Sequence, residues 1–466
     1  MSPGANLAFA RRSTQRPTTA PQPLKGSLLN PNMAPSNSDS ERYDAIVVGA
    51  GAAGLLAAAR SAERGRRTIV LEKNRKAGVK ILMSGGTRCN ITHDCEADGI
   101  ISAFGSAGRF LHSPLAALSP HDLVEMFHAE GLPTKSEPGG KIFPQSDRAA
   151  DVLEALLRRL RRSGAELATS EAVIQLDRSG EGFLVSTANR RLVATKLLIT
   201  TGGKSYPGCG TTGDGYRWLV EWGHTIHRPR PALVPLTSDE AWLHELSGVT
   251  VADVRLYVVN PNSGAEPLKP QSKRRHGNGP PGALMDRRGS MLFTHFGLSG
   301  PAVLDVSRAI TGARDPHDVL LLADFLPDIP TDTLTEQIRR YAVAEGRKTA
   351  LSVAADHLPR RLATALLERA AVPADRRTAE ISNEERGRLV AQLKRCDIRV
   401  SGSRGFDNAE VTAGGVSLDE VDSRTMQSRV VPNLFLAGEI LDLDGFIGGY
   451  NFQAAFSTGF LAGANL

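Results

Sequence analysis

The stretch "YDAIVVGAGAAGLLAAARSAERGRRTIVLEK", Tyr43 to Lys73, constrains the fold more than any other part of the chain. An apolar strand runs into Gly49, Gly51 and Gly54, an Ala/Leu-rich helix follows, and a second strand ends on Glu72. The first glycine permits a tight turn and the second lets backbone approach a pyrophosphate. The third lets helix and strand pack closely. The helix N-terminus attracts phosphate, and an acid closing the second strand accepts hydrogen bonds from ribose hydroxyls while disfavouring a 2′-phosphate. Lys73 beside it softens that exclusion slightly. The combination predicts a dinucleotide-binding α/β unit.

Composition sets the outer limits. A chain of 466 residues is long enough for two or three domains with sizeable cores. Its 46 glycines exceed the usual ~7% and gather in short clusters, as expected of loops approached by a ligand. Of the formal charge of +6, Arg11, Arg12, Arg16 and Lys25 supply +4 ahead of the first acid, which leaves +2 for the rest. So balanced a remainder speaks against an extended nucleic-acid surface. Cys89, Cys95, Cys209 and Cys396 form no CxxC and no metal spacing, which fits a reducing compartment and no bound metal. The longest apolar run, Ala45 to Ala59, is too short for a membrane span. The expected location is the cytoplasm. Residues 1–40 lack periodicity and read as a disordered extension. Their Arg-bearing character leaves organelle import as a minor alternative, and Met33 as an alternative start.

The remaining pattern predicts a split α/β fold: a Rossmann-like domain over 41–225, resumed over 399–466. A β-rich insert over 226–330 and a helical insert over 331–398 interrupt it. "ADVLEALLRRLRRSGAEL" places Val152, Leu153, Leu156, Leu157 and Leu160 on one helical face with Gly164 as the stop. Strands follow in "AVIQLD", "GFLVSTA" and "KLLITTGG". Near the end, "DGFIGGYNFQAAFSTGFLAG" opens a helix on Gly448 and Gly449 rather than on a polar cap, as if a ligand pressed against its positive end.

"GVKILMSGGTRCNITH" adds a second glycine pair, Gly85 and Gly86, and an Arg88 able to pair with phosphate. A second clamp of this kind suits a tightly held flavin dinucleotide. With "TGGKSYPGCGTTGDGY", "GSMLFTHFGLSGPAVLDVS", "EVTAGGVSLDEV" and "NLFLAGEILDLDGFIGGYNFQAAFSTGFLAG", the chain resembles the BaiN/YhiN-like flavoproteins from Tyr43 to Gly463. The resemblance implies that the split Rossmann-like domain binds FAD and that the β-rich insert is β-barrel-like, with FAD contacts from Gly49, Gly51, Ala52, Gly54, Glu72, Lys73, Lys80, Arg88, Cys89 and Asn90. It also implies contacts from Val173, Thr201, Gly202 and Gly203, and from the closing block at Gly438, Glu439, Asp442, Gly448, Gly449, Tyr450 and Asn451. His295, in "THFGLSGP", is the candidate proton donor. The implied activity is hydride transfer between FAD and a small organic substrate, either enone carbon–carbon double-bond reduction or amine oxidation.

Other motifs point less far. "GCGTTG", Gly208 to Gly213, follows Pro207 rather than a strand and reads as a decoy, so NAD(P)H, if it is the donor, has no domain of its own. Cys89 and Cys209 are candidate redox thiols better explained by packing. The basic loop with Lys273, Arg274, Arg275 and His276 reads as solvated, with a flavin-bearing RNA-associated protein, or a redox sensor without turnover, as the alternative function.

Overall fold

The computed structural model describes residues 41–180, 182–260, 283–344 and 346–466, so the readings of residues 1–40 and of the loop with Lys273–His276 lie outside the described residues. The apolar strand Glu41–Val48 pairs in parallel with Thr68–Leu71 on one side and Arg191–Ile199 on the other. Glu166–Ala168 extends the first edge, and Leu434–Leu436 joins the far half of Arg191–Ile199, also in parallel. Gly182–Thr187 and Val173–Ser179 complete the sheet as an antiparallel flap. Strands buried on both faces need continuous apolar sequence, and "AIVV" and "LLI" supply it.

The helix Ala149–Ser163 follows the predicted stripe: Val152, Leu153, Leu156 and Leu160 are buried, Leu157 is half-buried, and Gly164 caps it at φ +82°. The first helix, Ala52–Glu63, and the last, Tyr450–Asn465, lie against each other almost backbone to backbone. A Cβ on Gly459 would sit 2.4 Å from the Ala53 carbonyl oxygen, and one on Gly463 2.3 Å from that of Ala57. Small residues four apart on both helices make this approach possible. It brings the end of the chain beside the glycine turn at its start.

Between the halves of this domain, Cys396–Ile398, Leu320–Asp324, Thr250–Val259, Ala283–Thr294, Gly297–Ser299, Leu236–Thr237 and Gly402–Ser403 form an antiparallel sheet in that order. The helices Thr331–Ala344, Ala350–Ala355, Arg360–Arg369 and Asn383–Lys394 share one apolar core with it, through Leu334, Leu366 and Leu393 against Leu321 and Phe325. A ribbon of Ile226–Ala232 with Val411–Val416 leads into and out of this part of the chain. Among the described residues no helix is long and apolar enough to cross a membrane.

Candidate functional site

One cavity of about 370 Å³ is lined by the turn after the first strand, the end of the second, the helix Val79–Thr87 with its break at Ser84, Gly85 and Gly86, and the segments 171–173 and 200–202. The closing block, from Gly438 to Ala455, completes it. Most of these segments leave the ends of strands, where backbone not used in the sheet can meet a ligand.

The glycines of the turn divide by what surrounds them. A Cβ on Gly54 would lie 1.9 Å from the Gly49 carbonyl oxygen, so its place is in helix–strand packing. At Gly51 nothing lies within 4 Å of that position, and the residue lines the cavity. Only Gly51 is therefore kept clear for something other than protein. Glu72 is buried, and its two carboxylate oxygens accept from the Ala50 and Asn74 N–H groups, each at 2.9 Å. Each oxygen keeps a lone pair for a hydroxyl in the cavity. Gly449 begins the last helix at φ +94° with no side-chain cap, so the positive helix end borders the cavity.

Three residues that line the cavity carry a buried polar atom without a hydrogen-bond partner: Asn90 Oδ1, Thr201 Oγ1 and Trp218 Nε1. Buried polar atoms are nearly always paired in folded proteins, so each marks a place where the protein itself supplies no partner. Together with the clear space at Gly51 and the oriented Glu72, they fit a dinucleotide laid across the ends of the strands. Ala52, Val173, Gly202, Gly438 and Gly448 also line the cavity.

Other expected contacts are placed differently. Arg88 turns away: its guanidinium pairs with Asp147 at 2.8 Å and with Glu137, and covers the Phe143 ring at 4.0 Å. Because two carboxylates already hold it, its effect on the cavity comes through Phe143, which lines the wall. Cys89 is fully buried at φ +60°, and burial pushes its thiol up to about 12, so it packs rather than reacts. Cys209 does line the cavity, with its Sγ 3.1 Å from Met83 Sδ, and burial raises its pKa too. Gly203 packs on Thr412, and Gly54, as described, on the turn. Asp442 binds His227 Nδ1 at 2.6 Å, and Tyr450 stacks on His93 with ring centroids 4.5 Å apart; neither lines the cavity. Asn451 does, but its amide is spent on Gly445 and Phe446, clamping the loop before the helix.

His295 requires a correction. It is exposed at the turn between Ala283–Thr294 and Gly297–Ser299, edge-on to Phe296, and absent from the cavity wall. A two-residue hairpin turn points its tip to solvent, which a motif alone does not reveal. "GCGTTG" folds as a 3₁₀ turn over Pro207–Cys209 against Asn74, and its Thr212 accepts from Lys73 at 2.6 Å. Lys73 itself lines the cavity but is tied to Asp214.

Sequence reasoning missed Leu233, Glu410, Val411, Leu443 and Ile447, which line the cavity together with the expected Lys80 and Glu439. Glu439 accepts from Lys80 Nζ at 2.5 Å, Ser205 Oγ at 2.6 Å and the Thr412 N–H at 2.9 Å, and so pins three distant segments together. The signal was in "EVTAGGV", whose first residue is Glu410; nothing local says that it faces a cavity.

Beside Ile447, Asp305 accepts the Ile447 N–H at 2.8 Å, and Arg308 meets Asp444 at 3.2 Å. Burial raises both carboxyls to about 6, against the opposing pull of Arg287, Arg308 and Lys141 on Asp305 and of Arg308 and Arg230 on Asp444. The folded chain keeps protons there that the unfolded chain gives up near ~3.9. The stability each contributes is therefore present below about pH 4 and lost as pH rises through 6. D305N should gain in Tm on the wild type as pH is raised from about 4 to about 7; a constant difference across that range would contradict this.

Comparison with known proteins gives the family. A family model described as HI0933-like protein Rossmann domain matches residues 43–465. A ribosomal RNA dihydrouridine synthase of Escherichia coli is 31% identical over 91% of this chain and 98% of its own length. A 3-dehydro-bile acid delta(4,6)-reductase of Clostridium scindens is 31% identical over 90% of this chain and 97% of its own. Among solved structures, a 3-ketosteroid-delta4-(5alpha)-dehydrogenase from Rhodococcus jostii covers 92% of this chain and 99% of its own at 14% identity and a TM-score of 0.49.

Proposed function

Because the chain belongs to the HI0933-like Rossmann domain family of FAD-dependent oxidoreductases, we propose that it reduces a carbon–carbon double bond conjugated to a carbonyl group in a small molecule. The observation that carries this reading is the wall beyond the glycine cradle. There Leu233, Val411, Leu443 and Ile447 offer an apolar seat for an uncharged ring, in the same cavity as Lys80, Glu410 and Glu439. The Clostridium scindens relative is named for a reductase, which favours double-bond reduction over amine oxidation.

FAD, when bound, supplies the two-electron chemistry, delivering hydride to a polarised double bond. Gly51 and the helix end behind it would take the pyrophosphate, Glu72 a ribose hydroxyl, and Asn90 a polar atom beside the last helix. The helix starting at Gly449 would stabilise negative charge gathering against it. The apolar wall excludes water, which strengthens these interactions. We assign the reducing equivalents to a reduced nicotinamide, entering by the same cavity as the substrate. Four free cysteines suit the reducing environment of a cytoplasm.

A second reading has its own support. The relatives from Escherichia coli and Haemophilus influenzae, the latter 29% identical over 98% of its length, are named ribosomal RNA dihydrouridine synthases. Dihydrouridine is uridine with its ring double bond, conjugated to a carbonyl, saturated. The reaction class is the same and the carrier of the ring differs. The FAD-loaded protein, reduced by light under nitrogen, should be reoxidised by a 4-en-3-one steroid or cyclohex-2-enone within seconds, and not by a saturated ketone. Reoxidation by unmodified ribosomal RNA alone would transfer the assignment to the second reading. Reoxidation by neither, with oxygen as the oxidant and an amine able to reduce the oxidised flavin, would end the reductase assignment.

A further inference from the structure

Five carboxylates line the cavity, and four of them are already engaged. Glu72 is held by two backbone N–H groups, Glu171 by Arg190 at 2.8 Å, Asp214 by Lys73 at 2.6 Å, and Glu439 by Lys80, Ser205 and Thr412. Glu410 is the fifth. No hydrogen bond or ion pair engages its carboxyl among the described residues, and its side chain is exposed to the cavity. Its backbone is fixed nonetheless: the Glu410 N–H donates to the Leu233 carbonyl at 3.1 Å, immediately before the buried strand Val411–Val416. A carboxyl on rigid backbone, facing a largely apolar space with nothing to bond, is poised to meet a substrate.

We propose that Glu410 is the catalytic acid of the reduction, an assignment that rests on the reductase reading above. Hydride from the reduced flavin, itself reduced by a nicotinamide donor, forms the new bond at the β-carbon of the substrate. The electron pair of the double bond moves to the α-carbon and takes the Glu410 proton. One O–H bond breaks, one C–H bond forms, and the carboxylate is left to regain a proton from water. The group is suited to this because the cavity walls crowded around it desolvate the carboxyl and raise its pKa, opposed by Lys80, whose charge Glu439 already answers, and aided by the negative Glu439. A carboxyl that stays protonated at higher pH than an ordinary glutamate serves as an acid nearer neutrality.

The test uses the FAD-loaded full chain with cyclohex-2-enone, a 4-en-3-one steroid and unmodified ribosomal RNA as oxidants. E410Q should slow reoxidation of the flavin by about 100-fold or more, while light-driven flavin reduction proceeds as in the wild type. E410D should recover part of the rate. In the wild type the rate should fall as pH rises through the Glu410 pKa, a limb that E410Q lacks, and product formed in D₂O should carry deuterium on the α-carbon. Independently of turnover, ¹³C-labelled glutamate should show one carboxyl, missing from E410Q, that titrates above the ordinary glutamate range. E410Q that binds FAD, melts like the wild type and reoxidises as fast with the same pH limb would overturn the assignment. Wild type that none of the three oxidants reoxidises would instead overturn the reductase reading, and this assignment with it.

Discussion

Replacing Gly51 with leucine should leave the fold intact and weaken FAD binding by at least about 100-fold, roughly 2.8 kcal/mol. The residue has φ −84°, an ordinary value for any side chain, and a Cβ there meets no protein atom within 4 Å. Only the cavity is filled. Gly54→Ala, three residues on, should do the reverse. Its methyl would stand 1.9 Å from the Gly49 carbonyl oxygen, so the turn and helix must separate, and stability should fall along with binding. Flavin titration monitored by fluorescence, together with thermal melts of the apoproteins, separates the two effects. A G51L protein that binds FAD normally would show that the clear space above the turn is not where the pyrophosphate lies.

The second large effect concerns the contact between the first and last helices. Glycine within a helix costs ~1 kcal/mol relative to alanine, so G459A and G463A would each stabilise an isolated helix. In this fold both should destabilise. The added carbons would fall 2.4 and 2.3 Å from carbonyl oxygens of the facing helix, distances that only a backbone shift can relieve. A net loss of about 2 kcal/mol each is expected, and the double variant should melt roughly 5–10 °C lower. Since the last helix starts at the cavity, the shift should also loosen FAD. Paired variants with unchanged or higher Tm would mean that the helices do not approach this closely.

Regularities confined to one element survived the passage from sequence to structure. The strand–turn–helix at Gly49–Gly54, the stripe ending at Gly164 and the uncapped start at Gly449 all rest on φ/ψ preference or on apolar spacing, which neighbours along the chain settle. Side-chain direction across elements did not survive as well. Arg88 has the chemistry to hold phosphate, yet Glu137 and Asp147, 49 and 59 residues away, claim it first. His295 stands in a motif beside other cofactor-associated blocks, but a hairpin turn carries it to solvent. Glu439 is an acid in the expected place, and Lys80, 359 residues earlier, neutralises it.

By itself the sequence determined that a dinucleotide would be held by a parallel sheet, because glycine turns, helix starts and apolar strands are decided by contacts within about ten residues. Only the tertiary structure decided which charged groups are spent on one another and which carboxyl of the five that line the cavity, Glu410, is left without a partner among the described residues. The physical reason is that an ion pair depends on separation in space, and two residues hundreds of positions apart acquire a separation only when the chain has folded.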